Sequence, residues 1–569
     1  MARKLILIFA GVFMAINAAA YSESIKVNTI GYKPLEEKFV VCDKACSYFA
    51  VYDNKGKKVF SNDMKGPVKD AVSGDECFTG NFTQFKTPGV YYIEIEKAGR
   101  SAEFEISDSI YDKPFEKVMH AFYQLRCGID IKSKTGFEHK ACHLNPAEYH
   151  ETTGEEGEID VNGGWHDAGD YGKYAVNSGI STGTLILMFE RYKNRLENIN
   201  TGIPAEQKIK KLPDVLNEIK WNLDWMLKMQ AKNGGVYHKA TPLQFPPLNI
   251  MPEDDKNTYF VYEITSTATA DFAAVMAAAA RVFKSYDSAY ADKCLKAAEK
   301  AWGYLEANLG MVPKEGYKNP DDTKTGQYGD NDDKDERLWA AAELFSTTGK
   351  DTYNTYFTAN YKNWEKAVDK APSWREVKEM AMVSYCMSEQ AGKSEEACAS
   401  IKDSIRVHCD TLMARINENG YRNVMSEDDY VWGSNSVALN YAINLISGAE
   451  ILAEPKYKKG ALEILGYIFG INPFARSYVT GIGGNYPLNI HHRPSAGDKN
   501  SEPWPGLLAG GPNKRPQDNP LRSLPFGTPP ARSYADHVDS YASNEIAINW
   551  NAPLAFVLAE FISNNVVME

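Results

Sequence analysis

Two textures divide this chain. From Ser24 to about Ser107 the apolar residues come in short or alternating runs: SIKVNTIGY, EKFVVC, YFAVYD, KKVF, GVYYIEIE and AEFEIS. Turn chemistry separates them, as Asp-Asn-Lys-Gly, Thr-Pro-Gly and Lys-Ala-Gly-Arg. Strands at such close spacing predict a small all-β sandwich over 21–108. After Tyr111 the apolar spacing changes to three and four, the period of a helix buried on one face. Helices are predicted to begin near residues 114, 175, 212, 266, 288, 335, 353, 375, 397, 434, 457 and 545, with strands nearly absent. An even dozen helices without a short internal repeat predicts paired helices closing into an α/α barrel over 109–569, not an open solenoid. The helical period lapses once at length, from about Pro473 to Ala535. A loop that long inside a compact domain is functional or disordered. Its aromatics and the cluster His491-His492-Arg493 favour function.

Composition narrows the function class. A chain of 569 residues that is 43% hydrophobic and 12% aromatic is globular. Its formal charge of −12 and the lack of a basic run argue against nucleic acid as a partner. Arg3 and Lys4, the apolar run Leu5 to Ile16 and Ala18-Ala19-Ala20 read as a signal peptide over 1–20, cleaved near Ala20. The expected product is secreted or periplasmic and has no membrane anchor. Losing those two cations takes the charge from −12 to −14. Nine cysteines, an odd number, leave at least one thiol free, bridged between chains or metal-bound.

The candidate chemistry centres on Gly163 to Tyr174, GGWHDAGDYGKY. Its glycines make a shaped loop, and two carboxylates three apart, Asp167 and Asp170, lie among aromatics. Such a loop offers a base for water and flat faces for sugar rings; an acidic surface turn is the plain alternative. An inverting glycosidase needs a second carboxyl group about 6.5–9.5 Å away. Glu545 in YASNEIAINWNA is the best candidate, capped by Asn544 or Ser543 in the first turn of the last helix. A helix N-terminus lowers a carboxyl pKa whereas a general acid needs it raised, so Glu545 also reads as an ordinary first-turn charge. His491 and Arg493 have the donors to hold sugar hydroxyls or steady a carboxylate. Cys127, Cys142, His143 and His166 form the donor set of a tetrahedral structural zinc, or are unrelated cysteines beside a loop histidine. The acid-rich stretch Asp321 to Glu336 suits calcium, without EF-hand spacing, or a solvated loop.

Taken together these segments resemble glycoside hydrolase family 9, the inverting cellulases, in the subgroup with an N-terminal immunoglobulin-like domain. GGWHDAGDYGKY is similar to the family's base loop, Tyr478 to Arg493 to its histidine signature, and Tyr534, Asp536, Tyr541, Asn544-Glu545 and Asn551-Ala552 to its acid signature. GGVYHK, TATADFAA, WGSN and LLAGGPN also match family segments. The resemblance implies a mainly α, six-hairpin (α/α)6 barrel behind the immunoglobulin-like sandwich. It implies Asp170 as general base, Asp167 helping to hold the water and Glu545 as general acid. His491, Arg493, His238, Trp432 and Tyr541 would line the substrate cleft. It further implies a structural zinc on Cys127, Cys142, His143 and His166, and calcium at Asp335, Glu336, Asn331 and Asp332, with no organic cofactor. The expected activity is a monomeric endo-β-1,4-glucanase acting on cellulose or soluble β-glucan. An exo-acting cellobiohydrolase or β-glucosidase and a non-catalytic carbohydrate-binding protein are the rivals. Ser540 stands where family members often carry a second acid, and no dockerin or cellulose-binding module is visible.

Overall fold

The computed structural model describes residues 21–133 and 136–563; the expected signal peptide lies outside them. The N-terminal sandwich has eight strands, and both its sheets hang on one long strand, Lys58–Lys69. The first half of that strand pairs with Tyr48–Asp53 and the second half with Glu76–Asn81. The register shifts between Lys65 and Val68, so the strand bends from one sheet into the other. The strand Glu76–Asn81 was not among the expected runs. Only Cys77 and Gly80 of it are buried, which leaves no apolar alternation to read.

Twelve long helices follow. They are α1 (Asp112–Gln124), α2 (Ala175–Leu196), α3 (Asp214–Lys228), α4 (Ser266–Phe283), α5 (Ser288–Ala307), α6 (Lys334–Thr348), α7 (Asp351–Asn360), α8 (Lys378–Met387), α9 (Glu395–Glu418), α10 (Ser434–Ile451), α11 (Lys456–Ile468) and a C-terminal helix, Ile548–Phe561. Each begins within three residues of its expected start. Helices α2, α4, α6, α8, α10 and the C-terminal helix touch in that order, and the last returns to α2, closing a ring of six. The inner helices are buried nearly all round; in α4 every residue but Arg281 is buried. Alanine at eight of its positions lets neighbouring backbones approach closely. The other six helices pack outside the ring and carry one apolar stripe each, as in α1, where Phe115, Val118, Met119 and Phe122 face inward.

Loop lengths make the two ends of the barrel unequal. Four of the connections from an inner to an outer helix are short: 284–287, 349–350, 388–394 and 452–455. Those entering inner helices are long, among them 229–265, 308–333 and 469–547. Apart from 197–213, the long connections therefore gather at the N-terminal ends of the inner helices. Short strands stitch this end together, including Ala147–Tyr149, Lys173–Tyr174, Lys239–Thr241 and Phe260–Val261. Strands were expected to be nearly absent here; at two or three residues each they are too short to show a period. The sandwich is fastened to the barrel by polar contacts. Asp75 takes a hydrogen bond from Tyr421 at 2.6 Å and one at each oxygen from Arg532 Nη2, and Thr29 N–H donates to Phe469 O at 2.9 Å.

Candidate active site

The Gly163–Tyr174 loop enters α2 and is clamped at both ends. At its start Cys127 N–H donates to Gly164 O at 2.8 Å and His166 N–H to Leu125 O at 2.7 Å, pinning it to the segment after α1. Gly164 has φ +74°, and a Cβ there would meet the Trp225 side chain at 2.8 Å, so glycine is required. Behind the loop Arg126 and Glu218, both 1% exposed, form an ion pair at 3.0 Å. Trp165 Nε1 donates to the same carboxylate at 2.7 Å. Removing one partner of such a pair costs about 3–5 kcal/mol, because the other charge is left buried alone.

The two aspartates lie in the second half of the loop. Asp167 accepts from Asn177 Nδ2 at 2.7 Å and from the Tyr328 hydroxyl at 2.6 Å. Asp170 Oδ2 accepts from Gly172 N–H at 2.9 Å and from the Tyr174 hydroxyl at 3.2 Å. Glu545 arrives from the far end of the chain by backbone pairing. Ala547 bridges Ala168, Ile548 N–H donates to Asp167 O at 2.9 Å, and His491 bridges Glu545. A Cβ on Gly169 would lie 2.2 Å from His491 O and 3.1 Å from Glu545 Oε1, so only glycine lets the two walls close.

The expected position of Glu545 is corrected here. It is not in the first turn of the last helix but in extended backbone, φ −71° and ψ 163°, after the short helix Tyr541–Asn544. The long helix starts at Ile548, because Ala547 is drawn into the bridge with Ala168. The conflict between helix dipole and a raised pKa therefore falls away. Burial, then the charge of Asp170, pushes the Glu545 carboxyl well above its ordinary range, against a smaller opposing pull from Arg493. Asp167 is raised too, by burial and by Asp170, while Tyr328 and Asn177 oppose the shift.

An aromatic wall runs away from Glu545. Tyr541 lies 5.2 Å from the Trp432 ring and 6.1 Å from His491, centroid to centroid, and Trp432 is 41% exposed. Beside it a cavity of about 880 Å³ is lined by His491, Asp518, Arg522, His537, Asp539 and Tyr541. Arg493 is buried, and its guanidinium donates to Gly169 O at 2.7 Å and to Pro246 O at 3.0 Å, bracing the aspartate loop. His238, expected in the cleft, is fully buried instead. Both ring nitrogens are occupied, by Thr265 Oγ1 at 3.1 Å and Gln327 O at 2.9 Å, and burial lowers its pKa to about 3. Ser540 is buried and donates to Asp518 Oδ2 at 3.0 Å, so the carboxylate beside it comes from another segment, not from the exposed Asp539.

Cys127, Cys142, His143 and His166 come together, with one donor atom from each within 4.8 Å of the others. His143 offers Nδ1, 3.7 Å from Cys127 Sγ, and His166 offers Nε2, 3.6 Å from Cys142 Sγ. His143 Nε2 meets Asp255 at 3.3 Å, the outer carboxylate typical of a metal-bound histidine. The acid-rich loop divides differently from expectation. Asn331 and Asp332 are exposed and engaged by Arg375 and Lys334. Asp335 and Glu336 turn inward to join Asp271 and Asp330; burial raises the pKa of all four, and the neighbouring carboxylates raise Asp271 and Glu336 further. Both oxygens of Asp271 and of Glu336, and one of Asp330, are buried without a hydrogen-bond partner. Orphaned carboxylates of this kind fit a hard cation.

Asn177, Tyr174, Tyr328 and Lys239 were not singled out from sequence. Tyr328 belongs to the acid-rich loop, whose composition drew attention to metal alone. Gly326 N–H donates to the Tyr174 hydroxyl at 3.1 Å, and Lys239 Nζ holds Gly326 O at 2.8 Å. The loop thus reaches both aspartates, directly through Tyr328 and indirectly through Tyr174. Tyr328→Phe is expected to lower kcat about tenfold with KM little changed, the loss of one hydrogen bond to a charged group. Steady-state kinetics on a cello-oligosaccharide check this, and an unchanged kcat would show that Asp167 needs no such hold.

A closed ring of six helices with three convergent carboxyl groups and an aromatic-walled cleft defines a polysaccharide-cutting hydrolase. Residues 111–558 match glycosyl hydrolase family 9 and residues 20–100 match the cellulase N-terminal ig-like domain. The chain belongs to that family, in the subgroup with the N-terminal domain. It is 35% identical over 550 residues to endoglucanase D of Acetivibrio thermocellus, covering 96% of this chain and 84% of that protein. It is also 35% identical to the cellodextrinase of Butyrivibrio fibrisolvens, over 94% of this chain and 99% of that one. Among solved structures, a Zn-binding triple mutant of the family 9 endoglucanase J30 superposes with TM-score 0.89 at 32% identity, covering 94% of this chain and all of that one.

Proposed function

We propose that this family 9 hydrolase is an exported endo-β-1,4-glucanase working by inversion. The meeting of Asp167 and Asp170 with Glu545 at one end of an aromatic wall carries the reading, and the endoglucanase relatives support it. Asp170 takes a proton from a water whose oxygen attacks the anomeric carbon. The glycosidic bond breaks on the opposite face, and Glu545 gives its proton to the departing sugar oxygen. Asp167, held by Asn177 and Tyr328, positions the water. The raised pKa of Glu545 keeps that acid protonated above the ordinary carboxyl range. Trp432, Tyr541 and His491 offer the stacking surface, whereas His238 and Arg493 act from behind the cleft wall.

Viscosity loss against reducing-end release on carboxymethylcellulose, with anomeric NMR of cello-oligosaccharide products, tests this. Fast viscosity loss and α-anomeric first products are expected. Reducing ends released without viscosity loss would make the chain a cellodextrinase instead, and β-anomeric first products would overturn inversion.

Two metals accompany the proposal. Zinc would sit on Cys127, Cys142, His143 and His166, four protein ligands that leave no open position. Its part is to fix the loop that carries Asp167, since His166 immediately precedes it. Calcium would sit among Asp271, Asp330, Asp335 and Glu336, neutralising buried carboxylates on and beside the loop that carries Tyr328. Treatment with EGTA is expected to lower the melting temperature by about 5 °C, with recovery on adding calcium. Glu336→Gln should abolish that response, and a melting temperature indifferent to EGTA and calcium in the wild type would remove calcium from the account.

A further inference from the structure

We infer that four cysteines outside the Cys2His2 cluster form two redox-active pairs, Cys42–Cys46 and Cys386–Cys398, each set to close as a disulfide. Nine cysteines resolve into three groups. Cys127 and Cys142 belong to the metal cluster. Cys77, Cys294 and Cys409 are buried, and the groups that influence each of them include no other thiol. The remaining four fall into two neighbouring pairs. Cys42 ends the strand Phe39–Cys42 and Cys46 lies two residues before Tyr48–Asp53, so the two sit on one tight turn where each thiol acts on the other. Cys386 sits in the last turn of α8 and Cys398 in the first turn of α9; Cys386 Sγ is 4.0 Å from Cys398 O, and the two thiols act on each other.

The partner thiol also lowers one member of each pair below the ordinary thiol range: Cys42, and Cys398, which Lys393 and Lys402 assist. The thiolate can pass between the two sulfurs, and in the first pair Cys46, half-buried where Cys42 is wholly buried, is the one that a disulfide oxidant reaches. In the reaction the thiolate attacks a disulfide oxidant, oxidised glutathione or a disulfide-exchange protein, and displaces one thiolate. The second cysteine then loses its proton and attacks the mixed disulfide, releasing the other thiolate of the oxidant. The pair gives up two protons and two electrons, and the oxidant's disulfide is reduced. Both positions matter to the fold. The 42–46 turn carries Asp43, whose carboxylate pairs with Lys26 Nζ at 2.5 Å, and that ammonium lies over the Tyr421 ring of the barrel, so the turn is part of the seam between domains. A bond from Cys386 to Cys398 would staple an inner helix to an outer one across the exposed turn 388–394.

Disulfide formation requires an oxidising compartment, so its occurrence in the cell rests on the proposed export, whereas its chemistry does not. The full chain, supplied with zinc, is incubated with oxidised glutathione, its remaining thiols are alkylated in denaturant, and it is digested with trypsin without reduction. Lys44 and Lys393 lie between the paired cysteines, so cleavage leaves linked peptides that mass spectrometry identifies. The two named linkages are expected, with an intact mass lower by four hydrogen atoms. Cys42→Ser with Cys46→Ser, or Cys386→Ser with Cys398→Ser, should each halve that loss. The oxidised chain should melt a few degrees above the reduced one, a gain that the second double variant removes. Four free thiols after oxidation, or linkage only at Cys127–Cys142, would overturn the inference. Failure of export with both bridges still forming in vitro would instead count against the cellular location alone.

Discussion

Asp170→Asn is expected to lower kcat on carboxymethylcellulose by about three orders of magnitude, the usual worth of a positioned general base. Glu545→Gln should do the same on that substrate, and a second substrate separates the two roles. A dinitrophenyl cellobioside has a leaving group that needs no proton, so Glu545→Gln should retain most of its turnover there while Asp170→Asn does not. Equal losses on both substrates would reverse or merge the assignments. Stability supplies an independent reading. A carboxyl group whose folded pKa is raised binds its proton more tightly in the native state. Its presence therefore lowers stability as pH rises from the ordinary carboxyl value up to the folded one. Glu545→Gln removes that penalty, so the inactive variant should melt higher than wild type at neutral pH and equally at pH about 4. The same group would thus supply the proton in catalysis and cost stability at rest.

His166→Ala should lower the melting temperature by about 5–10 °C and reduce activity in step. The reason is connectivity. His166 N–H is bonded to Leu125 O, its ring joins the Cys2His2 cluster, and the next residue is Asp167. Thermal unfolding and kcat measured on the same preparation, with zinc content by elemental analysis, check this. A variant that loses zinc yet keeps both melting temperature and kcat would separate the metal from the aspartate loop. Rapid loss of wild-type activity on chelation, with the fold intact, would point to zinc in the chemistry itself.

How much of this was legible in sequence depended on the range of the interaction concerned. Every long helix began within three residues of the start that its apolar period predicted, because an inner helix must bury most of its surface and an outer helix one stripe. Strands such as Lys173–Tyr174 were illegible because two residues have no period and are set by a partner far away in sequence. Glu545 shows the limit well. Asn544 followed by Glu545 looks like a helix cap and first turn, yet the bridge between Ala547 and Ala168 delays the helix to Ile548. Local propensity lost to a contact 379 residues away in sequence (547 minus 168). The Cys2His2 set was visible as donor types but not as a cluster. In the acid-rich loop composition located the carboxylates without saying which turned inward, since exposure divides Asn331 and Asp332 from Asp335 and Glu336. Tyr328 gave no signal, because a tyrosine amid acids is unremarkable until its hydroxyl is placed on Asp167.

The ring closure between the C-terminal helix and α2 has a consequence in time. Asp167 and Asp170 are made early and Glu545 almost last; Arg493 can brace the aspartate loop sooner, but the segment that carries Glu545 is tied to that loop when Ala547 and Ile548 reach Ala168 and Asp167. A growing chain therefore carries most of its barrel, and both aspartates, with no complete site. Hydrolysis would be the final property this polypeptide acquires. Any truncation before the last helix should leave a glucan-cutting chain silent, however much of the rest has folded.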